Sequence, residues 1–300
     1  MRRFGPIALA VVFAGGVAAG CNGRDGVRDA GDAVRGLVRV DLSYTHTAGM
    51  LPGDARFDAQ ARFVRYRSFD AASVPTILGF ADFEGVPLDG CKVSDGTAEL
   101  DSALAADTIA PTAEVALLDA GNLELHGPID RAAITPHHYP ELVPFVSGVV
   151  YGGDELRPVA LALGQPYQVT GEGGNEVGPF NATVTAPRSF PTLSVDLLHR
   201  GSDLDLRWST DAAPTAEPLL LEARWSSRVG GTRTVRCRVR DDGAFSIPHD
   251  AFTELPLTTA LSSATVTATR LSRAPFFAPG AGRGELTLAL KDVAALQVTP

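Results

Sequence analysis

Leu219-Leu220-Leu221-Glu222-Ala223-Arg224-Trp225 and, a short way on, Val235-Arg236-Cys237-Arg238-Val239-Arg240 decide the fold class. In each stretch large apolar side chains recur at every second position. Leu219, Leu221, Ala223 and Trp225 share one side, as do Val235, Cys237 and Val239, while Arg236, Arg238 and Arg240 share the other. Period two is the signature of a strand with one buried face, since successive side chains of an extended backbone point to opposite sides. The pattern continues outward. Leu204, Leu206 and Trp208 alternate with Asp203, Asp205 and Arg207, and Asp242-Gly243 is a tight-turn signal before Phe245 and Ile247. Residues 266–271, 286–290 and 293–298 complete about seven short strands, the count of a small sandwich. Cross-strand ion pairs between Asp203 or Asp205 and the facing Arg224, Arg236 and Arg238 are the expected use of those charges.

The same period governs the upstream half. Val38, Val40, Leu42 and Tyr44 alternate with Arg39, Asp41 and Ser43, and Phe57, Ala59, Ala61 and Phe63 with Asp58, Gln60 and Arg62. Residues 117–125 read as strand, Gly121 turn, strand; 147–151, 167–171 and 180–185 read as further strands, with the Gly173-Gly174 turn between the last two. Helical turns are expected only near 98–107 and 250–255. Ala186-Pro187-Arg188-Ser189-Phe190-Pro191 marks a boundary, because proline stiffens the chain and cannot donate to a sheet.

Composition agrees with a globular chain. At 300 residues there is room for two cores, and 45% hydrophobic against 20% charged residues excludes a wholly disordered protein. A net charge of −9 argues against nonspecific nucleic-acid binding, which needs a basic surface. No run reaches the roughly 18–20 apolar residues of a membrane-spanning helix.

The N-terminus carries an address. Arg2 and Arg3 precede an apolar run from Ile7 to Ala19, too short to span a bilayer, and then Val17-Ala18-Ala19-Gly20-Cys21. Residues 1–20 read as a cleaved signal peptide. Residues 21–35, rich in Gly, Asp and Arg, read as a flexible tether, since they bring too little apolar surface to offset their ordering entropy. The expected architecture is therefore all-β: two antiparallel β-sandwich domains, 36–187 and 190–300, behind a signal and a tether.

Two resemblances follow. Small residues ending in Cys21 resemble the lipobox of bacterial lipoproteins, with Ala18 where that family usually has Leu; ordinary secretory cleavage nearby is the alternative. The resemblance implies a diacylated Cys21 as the mature first residue and a lipid anchor in the membrane. Asn22, not Asp, implies the outer membrane of a Gram-negative cell. Residues 190–300 resemble an immunoglobulin-like or fibronectin-like sandwich, lacking the paired Cys of antibody domains. Taken whole, the Cys21 motif, Leu118-Asp119-Ala120-Gly121, the Gly173-Gly174 turn before Pro179-Phe180, and Trp208 followed by Cys237 and Asp241-Asp242-Gly243 resemble two-part β lipoproteins of GC-rich Gram-negative bacteria. That family brings no established activity. Arg far outnumbers Lys, of which there are only Lys92 and Lys291, as a GC-rich genome produces.

Cys91 and Cys237 remain. In an exported chain such a pair tends to be bridged, and two separate buried thiols are the alternative. Catalytic signatures are absent: there is no Gly-x-Ser-x-Gly, no phosphate-binding glycine loop and no Cys-x-x-Cys. His137 and His138, in Thr135-Pro136-His137-His138-Tyr139-Pro140, read as an exposed proline-framed loop whose side chains point opposite ways. No catalytic residue, metal site or cofactor is expected. The candidate binding feature is an arginine patch, Arg224, Arg233, Arg236, Arg238 and Arg240, suited to an acidic glycan, lipid headgroups or an envelope protein. The reading is a lipid-anchored envelope protein that binds or supports. Its rival is a secreted or envelope hydrolase, with glycans as a candidate substrate class and a site dispersed over a β scaffold.

Overall fold

The computed structural model describes residues 35–48, 55–67, 74, 78, 83, 85–95, 114–143, 146–152, 159–199, 201–211, 217–227, 231–253 and 261–299. The signal at 1–20, the tether short of Arg35, Cys21 itself and the helical turn expected at 98–107 lie outside these residues. Within them the chain is all-β.

The strands are β1 (Arg35–Thr47), β2 (Arg56–Arg67), β3 (Gly90–Asp95), β4 (Glu114–Leu117), β5 (Leu123–His126), β6 (Arg131–Ile134), β7 (Pro136–Val143), β8 (Val146–Gly152), β9 (Pro166–Gly171), β10 (Phe180–Thr185), β11 (Leu193–Val195), β12 (Leu198–His199), β13 (Leu204–Trp208), β14 (Leu219–Ser227), β15 (Gly231–Val239), β16 (Ala244–Ile247), β17 (Leu261–Ala278), β18 (Gly282–Ala295) and β19 (Val298–Thr299). The helical turn expected near 250–255 is a single 3-10 turn, His249–Phe252.

One sheet of nine strands, in the order β15-β14-β17-β18-β1-β2-β4-β8-β7, runs through the molecule. Two smaller sheets lie over its inner face. The four-stranded β10-β9-β5-β6 sheet covers one half and the three-stranded β11-β13-β16 sheet covers the other, with β12 and β19 paired beside it. Pairing is antiparallel except between β1 and β18, β4 and β8, and β12 and β19. The β1–β18 pairing holds register from Val38↔Gly284 to Thr47↔Val293. It joins a strand near the beginning of the chain to one near its end, so the sheet does not stop at 187–190. Alternation showed which face of each strand is buried; it carries no information on which strand lies next to which, and so the common sheet was not foreseen.

Alternation does set the cores. In β13 the burial follows every second residue, Leu204, Leu206 and Trp208 inward and Asp205 and Arg207 outward. The first core gathers Val38, Val40, Leu42 and Tyr44 of β1, Phe57 to Phe63 of β2, and Leu286, Leu288 and Leu290 of β18 beneath Tyr167, Val169, Phe180, Ala182 and Val184. The second gathers Leu219, Leu221, Ala223 and Trp225 of β14, Val235, Cys237 and Val239 of β15, and Val266 and Ala268 of β17 beneath Leu204, Leu206, Trp208 and Ile247. The two long strands serve both. Along one face, β17 gives Val266 and Ala268 to the second core and Phe276 and Ala278 to the first; β18 gives Leu286, Leu288 and Leu290 to the first and Ala294 to the second, with Leu296 just beyond its end.

Two expected hairpins are corners instead. The turn at Gly121 leads from β4 in the large sheet to β5 in the covering sheet, and Asp242-Gly243 leads from β15 to β16 across the same gap. At the first corner Gly121 has φ +70, and a Cβ there would fall 2.2 Å from the Gly173 carbonyl oxygen. Only glycine meets both demands, the left-handed backbone and the close approach.

The outer face of the large sheet is crossed by the chain that follows β2. Val74 and Leu78 pack with Val64, Tyr66, Val115 and Leu117, and Phe83 packs with Leu220, Leu271 and Ala289. Beyond it, Asp89 donates its backbone N–H to the Arg238 carbonyl at 2.7 Å. The crossing ends at a disulfide between Cys91 and Cys237, 146 residues apart in sequence.

Candidate functional site

Between the two cores the inner face changes character. On β17 the position after Val266 and Ala268 in the buried stripe is Arg270; on β18 the position after Leu288 and Leu290 is Asp292; on β1 the position after Leu42 and Tyr44 is His46. Registers Thr269↔Lys291 and His46↔Asp292 set the three side by side across adjacent strands. They form a buried polar row, and the proline-framed segment 187–191 passes over it.

Arg270 is 2% exposed and every one of its three guanidinium nitrogens is used. Its Nε donates to Asp241 Oδ2 at 2.6 Å and its Nη2 to Asp241 Oδ1 at 2.8 Å, a bidentate pair. Nη2 also reaches the Ser209 carbonyl at 2.7 Å, and Nη1 reaches the Ser189 carbonyl at 3.0 Å and Ser189 Oγ at 2.8 Å. Trp208 Nε1 donates to Asp241 Oδ1 at 2.9 Å. A buried charge is tolerated only when paired and hydrogen-bonded, and here both conditions are met. The network ties four segments together: β17, the β15–β16 corner, the end of β13 and the crossing segment.

Asp292 does the same for the neighbouring strands. Its Oδ1 faces His46 Nδ1 at 2.5 Å and its Oδ2 accepts the Leu193 N–H at 2.7 Å. The His46 ring lies 6.0 Å from that of Phe190. A carboxylate orienting an imidazole is half of an acid–base device, but both oxygens of Asp292 are spent on holding β1 and β11. The chemistry on view is positional: the row grips Ser189, Phe190 and Leu193 where the chain passes from one core to the other.

The arginines separate. On β14–β15 the register sets Trp225 opposite Arg233 and Glu222 opposite Arg236. Arg233 therefore shares the face of Val235 and Cys237, away from Arg224, Arg236 and Arg238, so the five do not make one patch. Arg236 Nε donates to Glu222 Oε2 at 3.0 Å and Nη1 to Ser94 Oγ at 3.4 Å. Arg238 Nη1 donates to the Val86 carbonyl at 3.0 Å, and Arg240 pairs with Asp89 at 3.2 Å. These three anchor the chain around β3. Arg224 is exposed.

Asp203 and Asp205 do not pair with those arginines, because β13 lies in the covering sheet and β14–β15 in the large one. Asp203 accepts the His249 backbone N–H at 2.8 Å and its Nδ1 at 3.2 Å. These contacts, the backbone one foremost, hold its carboxyl below the usual carboxylate range. Asp205 accepts from Ser246 Oγ at 2.5 Å. His137 and His138 lie not in a loop but on β7, the edge of the large sheet, where Pro136 is tolerated because an edge strand leaves part of its backbone unpaired. Both side chains are exposed. Among the described residues no group of three or more His, Cys, Asp or Glu side chains could hold a metal ion. None of the helices there is long and apolar enough to cross a membrane.

The polar row was missed from sequence, although a signal existed. Arg270 interrupts a stripe that Val266 and Ala268 establish and Ala274, Phe276 and Ala278 resume. A charge in an otherwise apolar alternation points to a buried ion pair or a seam. No protein-family model matches the chain, and no curated protein matches it.

Proposed function

We propose that the protein is a lipid-anchored component of the cell envelope, held by acyl chains on Cys21, that works as a binding or structural module. The observation that carries this reading is the order basic, apolar, small, Cys over Arg2 to Cys21. Stable anchoring takes at least two membrane signals, which a diacylated Cys supplies. The bond between Cys91 and Cys237 supports export independently, since disulfides persist in oxidising compartments. The buried charges favour a scaffold, because Arg270 and Asp292 are occupied in joining segments. An envelope protein or acidic glycan would meet the exposed Arg224 side of β14, with the outer membrane as the location.

Cell fractionation tests this. The wild type is expected in the membrane fraction and Cys21→Ala in the soluble one. Equal membrane association of the two overturns the anchor.

A further inference from the structure

The fold has two ends, and the chain enters at one of them. β1 begins at Arg35, and its neighbour Gly36 lies so close to the β17–β18 turn that a Cβ there would fall 2.1 Å from the Ala281 carbonyl oxygen. Arg35 is thus beside the tip of the β17–β18 hairpin, the longest among the described residues. That tip carries Phe277, a large apolar side chain 63% exposed, with Arg283 directly across the strand pair. Arg283 is exposed too, one residue before the Val38↔Gly284 pair that opens the parallel β1–β18 register.

The charges around the tip have been sorted. Glu114 is held by Arg67 at 2.7 Å, Glu176 by Arg65 at 3.7 Å, and Glu285 by Arg273 at 3.8 Å. Arg35 and Arg283 have no ion pair among the described residues. An exposed aromatic ring flanked by two arginines, on a protein of net charge −9, is a local inversion of the overall sign.

We infer that this tip, Phe277 with Arg283 and Arg35, is the surface that rests on the bilayer, the ring entering the headgroup region and the two arginines meeting anionic headgroups. The inference rests on the lipid-anchor reading of Cys21. The tether from Cys21 to Arg35 is about 14 residues, which reaches at most about 50 Å when fully extended. It therefore keeps the Arg35 end at high effective concentration against the membrane. The opposite end of β17, where Thr265 pairs with Arg224, is 12 positions further along the strand, or about 40 Å at strand rise. Apolar rings at the interface and basic side chains near anionic lipid each favour contact, by about fivefold for each arginine at the surface. The end bearing Arg224 is left facing away, free for a partner.

The test uses full-length acylated protein carrying Phe277→Trp, reconstituted into phosphatidylethanolamine–phosphatidylglycerol vesicles with brominated acyl chains. Trp208 and Trp225 are buried and give the background. Ser263→Trp, exposed near the far end of the same strand, is the control. The expected result is about twofold quenching at position 277, as for a ring lying some 5–10 Å into the interface, and none at 263. Adding Arg35→Gln and Arg283→Gln, or replacing phosphatidylglycerol with phosphatidylcholine, is expected to weaken the quenching. No quenching at 277, or equal quenching at 277 and 263, overturns the inference. The mass of the N-terminal peptide from the same sample separates the two readings: acylated Cys21 with an unquenched residue 277 removes this inference alone, and an unacylated Cys21 removes both.

Discussion

The two cores reach stability by different chemistry. The first is built of rings: Tyr44 against Phe57 at 5.0 Å, Phe63 against Phe180 at 5.3 Å, and Phe180 against Phe276 at 5.3 Å. Its covering sheet has four strands, and the tips of Tyr44 and Tyr167 donate to the Val159 and Ala160 carbonyls. The second has three covering strands and, among the described residues, one close ring pair, Trp225 against Phe252 at 5.7 Å. Fasteners supplement its packing: the Trp208–Asp241–Arg270 network, and the Cys91–Cys237 bond, which reaches into the core from the β15 edge of the large sheet. A thinly covered core needs directional bonds where a thick one relies on apolar area. The two are therefore not interchangeable modules, although they share one sheet.

Mutation can break that contrast. Asp241→Ala strands the Arg270 guanidinium in the interior and leaves the Trp208 indole N–H without its acceptor. The expected loss is about 3–5 kcal/mol in urea unfolding, and adding Arg270→Met should recover much of it. If Asp241→Ala costs less than 1 kcal/mol, roughly what a solvated surface pair is worth, the row is not the fastener described. Phe63→Ala should cost a similar 3–5 kcal/mol by cavity formation, with no charge-removing rescue. Both variants should unfold in one transition, since β17 and β18 run through both cores. Two separate transitions would show the shared sheet to be no coupling element.

A smaller effect is expected from Cys91→Ser combined with Cys237→Ser, about 2–4 kcal/mol from the freed loop. Its mark should be loss of hydrogen-exchange protection along β15, with β9 and β10 unchanged.

Alkaline pH probes the ring-built core. Burial pushes the Tyr151 hydroxyl up to about 12, and the nearby Asp119 carboxylate adds to this while the hydrogen bond from the Ala120 N–H opposes it. Burial also raises Tyr44, with Tyr167 contributing. A folded pKa above the unfolded one means stability complete below pH 10 and lost as pH rises toward the folded value. The denaturation midpoint should therefore fall from about pH 10 upward. Tyr151→Phe should flatten that fall, and an identical slope in the variant would remove Tyr151 from the account. The smallest effect belongs to Arg240→Ala. Its ion pair with Asp89 is largely exposed, and about 0.5 kcal/mol or less is expected.

Much of this architecture could be read from residue order. Alternation placed Val235, Cys237 and Val239 inward and Arg236 and Arg238 outward, and Pro187 and Pro191 marked the crossing between cores. Short-range pattern could not reveal that β1 pairs with β18, because two strands that far apart in sequence leave no local trace of their adjacency. It likewise could not tell a hairpin from a corner at Gly121 or Gly243, since both need the same left-handed glycine. The arginine stripe misled for a related reason. Which guanidiniums are spent internally depends on where Val86 and Asp89 come to lie; Arg233, two residues before Val235, shares that residue's face, which the alternation alone already shows.

The proposed anchor, acyl chains on Cys21 holding this β scaffold at a membrane, is open to a direct test. The most direct measurement is the intact mass of the protein recovered from the membrane fraction. The expected species starts at Cys21 and carries a diacylglyceryl group, with Cys91 and Cys237 oxidised. A chain retaining Met1, or one beginning near Cys21 with its thiol unmodified, would contradict it.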